Sequence, residues 1–217
     1  MRDFASADIW FILGFFGTTL SLSCLTFAGG LLIGVPVALA RGAGPRWLRL
    51  PAQGWIRTIQ GIPVLVQLMI CYFAPPVILG REVDIWTAAT VAFSINASGY
   101  VAEILRGAIA AVPRGQLEAA RAIGLGPRAF WIDVVLPQAL RLAVAPLINL
   151  GVGLIKGTSI ASILGLAELT RAGLRVNQLT YDPLGAFGIV CLAYFAICWP
   201  LSLLGQHVER RLNPAHA

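Results

Sequence analysis

Five apolar segments, each of about twenty residues or more, constrain this chain more than any other feature. They run from about Trp10 to Ala40, Thr58 to Leu79, Trp86 to Ala108, Gln138 to Lys156 and Leu184 to Leu204. A hydrocarbon core about 30 Å thick needs roughly 20 helical residues to cross. Backbone N–H and C=O groups find no partners in lipid, so a span of this length must satisfy them internally, as an α-helix. The pattern predicts an all-α polytopic membrane protein with five transmembrane helices and a single transmembrane domain over residues 1–217. The first segment is long enough to tilt or protrude. Only 12% of the residues are charged and 58% are hydrophobic, against about 25% charged in soluble domains. A soluble fold is excluded.

The net charge of +6 would suit a polyanion if the basic residues formed one patch. Instead Arg41, Arg46, Arg49 and Arg57 fall between the first two apolar runs. Arg106, Arg114, Arg121, Arg128 and Arg141 bracket a polar island between the third and fourth, and Arg210 and Arg211 sit in the tail. That is the loop asymmetry of the positive-inside rule, so the basicity reports orientation and not a nucleic-acid partner. With the Arg41–Arg57 loop and the island both cytoplasmic, the amino terminus is expected outside and the carboxyl terminus inside. The outer segments carry mixed charge: Arg81, Glu82 and Asp84 in one, Glu168, Arg171, Arg175 and Asp182 in the other. The first apolar run is too long for a signal peptide and is expected to be retained. Cys24, Cys71, Cys191 and Cys198 lie inside apolar runs without paired spacing, so no disulfide framework, metal or other cofactor is expected.

Between Gly157 and Asp182 the chain is too short and too rich in small residues for a full span. A re-entrant or surface helix is expected there, sheltered by protein or by a wet cavity. Gly30 with Gly34, and Gly153 with Gly157, form small-xxx-small pairs that let helices approach closely. The alternative is that 23 glycines produce such pairs by chance.

The polar island, residues 109–137, reads as a mechanical part. Pro113 suits a helix start, where its missing N–H costs nothing. Residues Gly115 to Ile123 then form a short helix, and Gly124-Leu125-Gly126-Pro127 stops it. A second short helix from Arg128 leads to Leu136-Pro137, where the chain re-enters the bilayer. Arg114, Glu118 and Arg121 share one face, so Glu118 pairs with either arginine. Gly124 suits a C-terminal position with positive φ. Ala119 and Ala120 leave room for a partner surface. Leu117 and Ile123 offer too little apolar area for an interfacial lipid-bound helix, which favours protein docking.

The spacing Glu118-Ala119-Ala120, three residues, Gly124, nine residues, Val134, one residue, Leu136-Pro137 resembles the cytoplasmic coupling loop of ABC importer permeases. Val134 stands where that family usually has Ile. Gln60-Gly61-Ile62-Pro63-Val64-Leu65-Val66-Gln67, Tyr100-Val101-Ala102-Glu103-Ile104-Leu105-Arg106-Gly107, Leu136-Pro137-Gln138-Ala139-Leu140-Arg141 and Lys156-Gly157-Thr158-Ser159 resemble the polar amino acid subgroup of histidine, glutamine, arginine or opine type. The resemblance covers roughly residues 15 to 210. It implies a five-helix permease core in a prokaryotic inner membrane, paired with itself or a close relative around one pathway. Two ATPase subunits would bind below, and an extracytoplasmic binding protein would deliver a small polar solute. Glu118, Ala119, Ala120, Arg121 and Gly124 are the ATPase-coupling residues that it implies. One departure stands out: the subgroup usually has Asp after the Lys of Lys156-Gly157, so the acidic neighbour of Lys156 is missing.

Ionisable and polar residues within spans are candidates for function, because each charge costs roughly 2.5–3.5 kcal/mol on insertion. Glu103 and Arg106, three residues apart, either pair or face the pathway. Lys156 either snorkels to the interface or meets solute. Asn96, Ser98 and Asn149 face the pathway or bond between helices, and Ser159 is a further contact candidate. Gly151 to Thr158 superficially matches a phosphate-binding loop, but Ile155 and Gly157 stand where Gly and a hydroxyl are required. ATP hydrolysis is therefore expected in a partner, not in this chain. An autonomous channel or secondary carrier is the competing expectation; it needs midplane coupling residues and an internal repeat, and neither is visible.

Overall fold

The computed structural model describes residues 2–42 and 44–212. Met1, Ala43 and residues 213–217, the two chain ends included, lie outside the described residues. Among those described, every regular element is helical. The first apolar run forms α1 (Ser6–Leu13) and α2 (Phe16–Gly42), together one unit of 37 residues. At 1.5 Å per residue this is about 55 Å, well beyond a bilayer core. The excess length foreseen in the sequence is real.

The second span departs from expectation. Instead of one helix from Thr58 to Leu79, the chain makes α3 (Arg46–Gly61) and α4 (Val64–Leu79), bent by 100° at Ile62-Pro63. Pro63 lacks an N–H and crowds the residue before it, so Ile62 goes extended at φ −102° and ψ 127°. The buried Gln67 side chain meets the carbonyls that the break frees. Its Nε2 donates to Ile59 O at 2.8 Å and to Ile62 O at 2.9 Å. Most of the expected Arg41–Arg57 loop is thereby helix, with Ala52, Ile56 and Ile59 buried.

The third span is α5 (Ile85–Ala110), close to the expected bounds. Asp84 caps it, accepting from Thr87 N at 3.1 Å. The Thr87 hydroxyl, and then its N–H, hold the Asp84 carboxyl below the usual range. α5 packs most extensively on α2, and glycines make that possible. A β-carbon on Gly30 would lie 2.6 Å from Ala97 Cβ, and one on Gly34 would lie 2.7 Å from Ser98 O. Close backbone approach of this kind replaces the hydrophobic drive that lipid does not supply. Gly153 and Gly157 differ: apart from the adjoining residues and backbone of their own helix, no described atom lies within 4 Å of their β-carbon positions.

After α6 (Arg114–Ala122), the chain forms α7 (Pro127–Ala129), a π-helical turn (Phe130–Val135) and α8 (Leu136–Gly157). The short helix expected from Arg128 does not stand apart from the span that follows. α7, the π turn and α8 make one continuous rod with the 3₁₀ turn Thr158–Leu164. Pro137 removes one N–H and crowds the carbonyl four residues back. The widened π turn absorbs that clash without breaking the helix. α9 (Leu169–Thr180) is too short to span, as expected for this segment, and α10 (Pro183–Leu212) closes the chain. α10 runs past its expected end at Leu204, because polar residues from Gln206 continue the helix beyond the apolar run.

Among the described residues, buried side chains form four clusters, and two are the largest. Ile12, Leu169 and Val176 join Val152, Ile155, Val190 and Ile197. Leu22, Leu68, Ala92 and Phe93 pack with Ala161 and Leu166.

Candidate functional site: a docking helix and the groove above it

α6 follows α5 after a three-residue connection, with Pro113 immediately before its first turn. Its end forms two bonds that close the C-terminus: Leu125 N donates to Ala120 O at 3.2 Å and Gly124 N to Arg121 O at 3.0 Å. This pairing needs a left-handed residue, and Gly124 supplies it at φ +71°. Glu118, Ala119, Arg121 and Gly124 are exposed, whereas Ala120 is buried at 5%. Glu118 is ion-paired with neither Arg114 nor Arg121, contrary to expectation. Arg121 instead lies 5.3 Å over the Phe130 ring, which draws it toward the π turn. Glu118 is left facing outward.

The inner face of α6 is anchored. Leu117 packs against a cluster built from Ala108 of α5, Val112 just after it, Val135 of the π turn, and Ala139 and Ala143 of α8. The helix therefore sits on the junction of two spans.

Farther along these two spans, Asn96 and Tyr100 of α5 face Asn149 and Gly153 of α8 across a groove of about 350 Å³. Val64, just after the α3–α4 break, and Gly157 also line it. Of the sequence candidates, Asn96 and Asn149 are thus brought together. Ser98 is not with them. It is fully buried, accepts from Trp55 Nε1 at 3.0 Å and donates to Ile95 O at 2.6 Å, so it bonds between helices. Lys156 is exposed beside Gly157, and Ser159 donates to Lys156 O at 2.7 Å, tightening the helix end.

Glu103 pairs with Arg106, whose Nε lies 2.9 Å away, and also takes Arg41 of α2 at 2.7 Å. The second partner is 62 residues distant, and no local spacing could have shown it. Two more residues escaped the sequence reading. Tyr100 was part of a motif but not a candidate. Glu168, expected among outer mixed charge, is fully buried. It caps α9 by accepting from Arg171 N at 2.8 Å and takes the Tyr194 hydroxyl at 2.8 Å.

Residues 30–214 match the family described as the binding-protein-dependent transport system inner membrane component. The L-cystine transport system permease protein of Bacillus subtilis is 36% identical, over 97% of this chain and 91% of its own length. The glutamine transport system permease protein of Escherichia coli is 38% identical, over 90% of each chain. Among solved structures, an amino acid ABC transporter crystallised with histidines superposes with a TM-score of 0.90 at 33% identity, covering 97% of this chain and 99% of that one. The inward-facing methionine transporter MetNI, at 20% identity and a TM-score of 0.78, shares the fold. With the family match covering most of its length and amino acid permeases similar to it almost end to end, the chain belongs to the inner-membrane permease family of ABC importers, whose members are multi-pass subunits that form the translocation pathway.

Proposed function

We propose that the groove between α5 and α8 carries a polar amino acid or a related small solute, and that α6 is the seat through which an ATPase subunit drives it. The observation that carries this reading is the placement of α6. Its outer face, with Glu118, Ala119, Arg121 and Gly124, is free for a partner, while Leu117 holds its inner face to both groove-lining spans. On this reading a push on α6 passes through that cluster to α5 and α8, and along these rigid helices to Asn96, Tyr100, Asn149 and Gly153. ATP-bound and ATP-free partners would favour different arrangements of these spans, and that difference in affinity supplies the free energy of switching.

In the assembly we infer, this chain pairs with itself or a sister permease, two ATPase subunits hydrolyse the ATP, and a binding protein delivers solute from outside. The amino terminus faces outward and the carboxyl terminus the cytoplasm, following the arginines at 41, 46, 49, 106, 114, 121 and 128. Cystine and glutamine occur in the names of relatives, which favours an amino acid as cargo. The groove offers carboxamides from Asn96 and Asn149 and the Tyr100 hydroxyl for its polar groups.

The test is gentle purification from the native membrane, with mass spectrometry of what accompanies the chain. A nucleotide-binding subunit is expected with the wild type and absent with Ala119→Trp, which crowds the outer face of α6. A chain that purifies alone and moves amino acids in liposomes without ATP would overturn the reading in favour of an autonomous carrier.

A further inference from the structure

We propose that the cavity between α1 and α9 holds the phosphate headgroup of an anionic phospholipid of the outer leaflet. The cavity measures about 360 Å³, with Arg171, Arg175 and Gln178 on one wall and Phe11, Phe15 and Leu174 among its apolar residues. Arg171 and Arg175 lie one turn apart on the exposed side of α9, whose other side is buried through Leu169, Ala172, Val176 and Thr180. Neither arginine is ion-paired among the described residues.

Three observations favour a lipid. First, exposed aromatics of the kind enriched at membrane–water interfaces stand on or beside the same two helices: Trp10 is 74% exposed on α1 and Tyr181 68% exposed just after α9. Second, the cavity joins charge to apolar surface. Arg175 sits 5.8 Å over the Phe11 ring, so its guanidinium is held at the boundary between wet and oily walls. A guanidinium pair grips a phosphodiester through paired N–H bonds, and Phe11, Phe15 and Leu174 suit the first carbons of an acyl chain. Third, neither guanidinium lies within ion-pair distance of a carboxylate among the described residues, which leaves both for an outside anion. The outer placement rests on the orientation proposed above. An acidic protein would match the charge, but it would leave the phenylalanine walls uncovered.

The intact importer, permease with its ATPase and binding protein, is placed in nanodiscs of mixed phosphatidylglycerol and phosphatidylcholine and then stripped with mild detergent. Retained lipid is measured by mass spectrometry. The wild type should keep phosphatidylglycerol, and the double variant Arg171→Gln/Arg175→Gln should keep about tenfold less. If that variant fails to assemble, Leu174→Trp, which fills the apolar wall and leaves both charges, should lower retention likewise. Equal retention in an assembled variant would overturn the assignment. So would unchanged retention together with loss of binding-protein-stimulated ATPase, which would identify a protein-docking stripe instead. The side of the membrane is read separately. In a background lacking the four native cysteines, Gln178→Cys should react with an impermeant maleimide from outside. Reaction only in inverted vesicles would overturn the outer-leaflet assignment and the orientation beneath it, whatever the lipid result.

Discussion

Gly124 holds φ at +71°, and apart from the two adjoining residues no described atom lies within 4 Å of where its β-carbon would stand. An alanine there would therefore suffer only backbone strain of about 1 kcal/mol, whereas a large side chain would project from the docking face. Gly124→Trp should insert normally into the membrane but lose ATPase assembly and uptake, while Gly124→Ala should retain most of both. Size exclusion of the purified complex and vesicle uptake check this; normal assembly of Gly124→Trp would count against the docking face. The conformation at 124 was legible because positive φ is a local property, and so was the helix start at Pro113. Half of the Glu103 cluster was legible for the same reason, since Arg106 is three residues away and Arg41 is not. Glu168 was read only as one of the mixed charges of an outer segment. Its burial depends on α9 folding onto α10, which brings Tyr194 to the carboxylate from 26 residues away, and no local spacing encodes that.

Two glycine pairs with the same spacing carry opposite expectations at the level of helices. Gly34 is pressed against Ser98 O and Val101 at the α2–α5 crossing, so Gly34→Leu must separate two backbones. It should destabilise the fold by about 1–3 kcal/mol or more, read as a lower melting temperature in detergent. Gly153 faces the groove with no neighbour within 4 Å. Gly153→Leu should melt as the wild type does and yet transport poorly, since it fills the proposed path. Equal melting temperatures for Gly34→Leu and the wild type would contradict the packing, and full uptake by Gly153→Leu would contradict the path. The sequence showed both pairs alike, because what a helix face meets is settled by tertiary packing. Span positions were legible from apolar length alone. The break at Ile62-Pro63 was hidden because the apolar run continues through it, and Gln67 supplies the missing bonds from outside the local ladder. The rod from Pro127 was hidden in the reverse sense. Gly124 to Pro127 read as a stop and Leu136-Pro137 as a point of re-entry, but Pro127 opens the helix and the π turn accommodates Pro137.

Across the whole molecule, the proposed function makes α6 and the groove one mechanical unit joined at Leu117. That side chain packs on a cluster to which α5 gives Ala108, the π turn Val135, and α8 Ala139 and Ala143. Truncating it leaves the outer face of α6 intact and loosens only the link. The most direct test is the ratio of solute moved to ATP hydrolysed, measured with the intact importer in proteoliposomes carrying Leu117→Ala. ATPase subunits should still assemble and hydrolyse ATP, while solute moved per ATP should fall about tenfold. An unchanged ratio in an assembled Leu117→Ala complex would show that the stroke does not pass through α6 into α5 and α8, and would contradict the account.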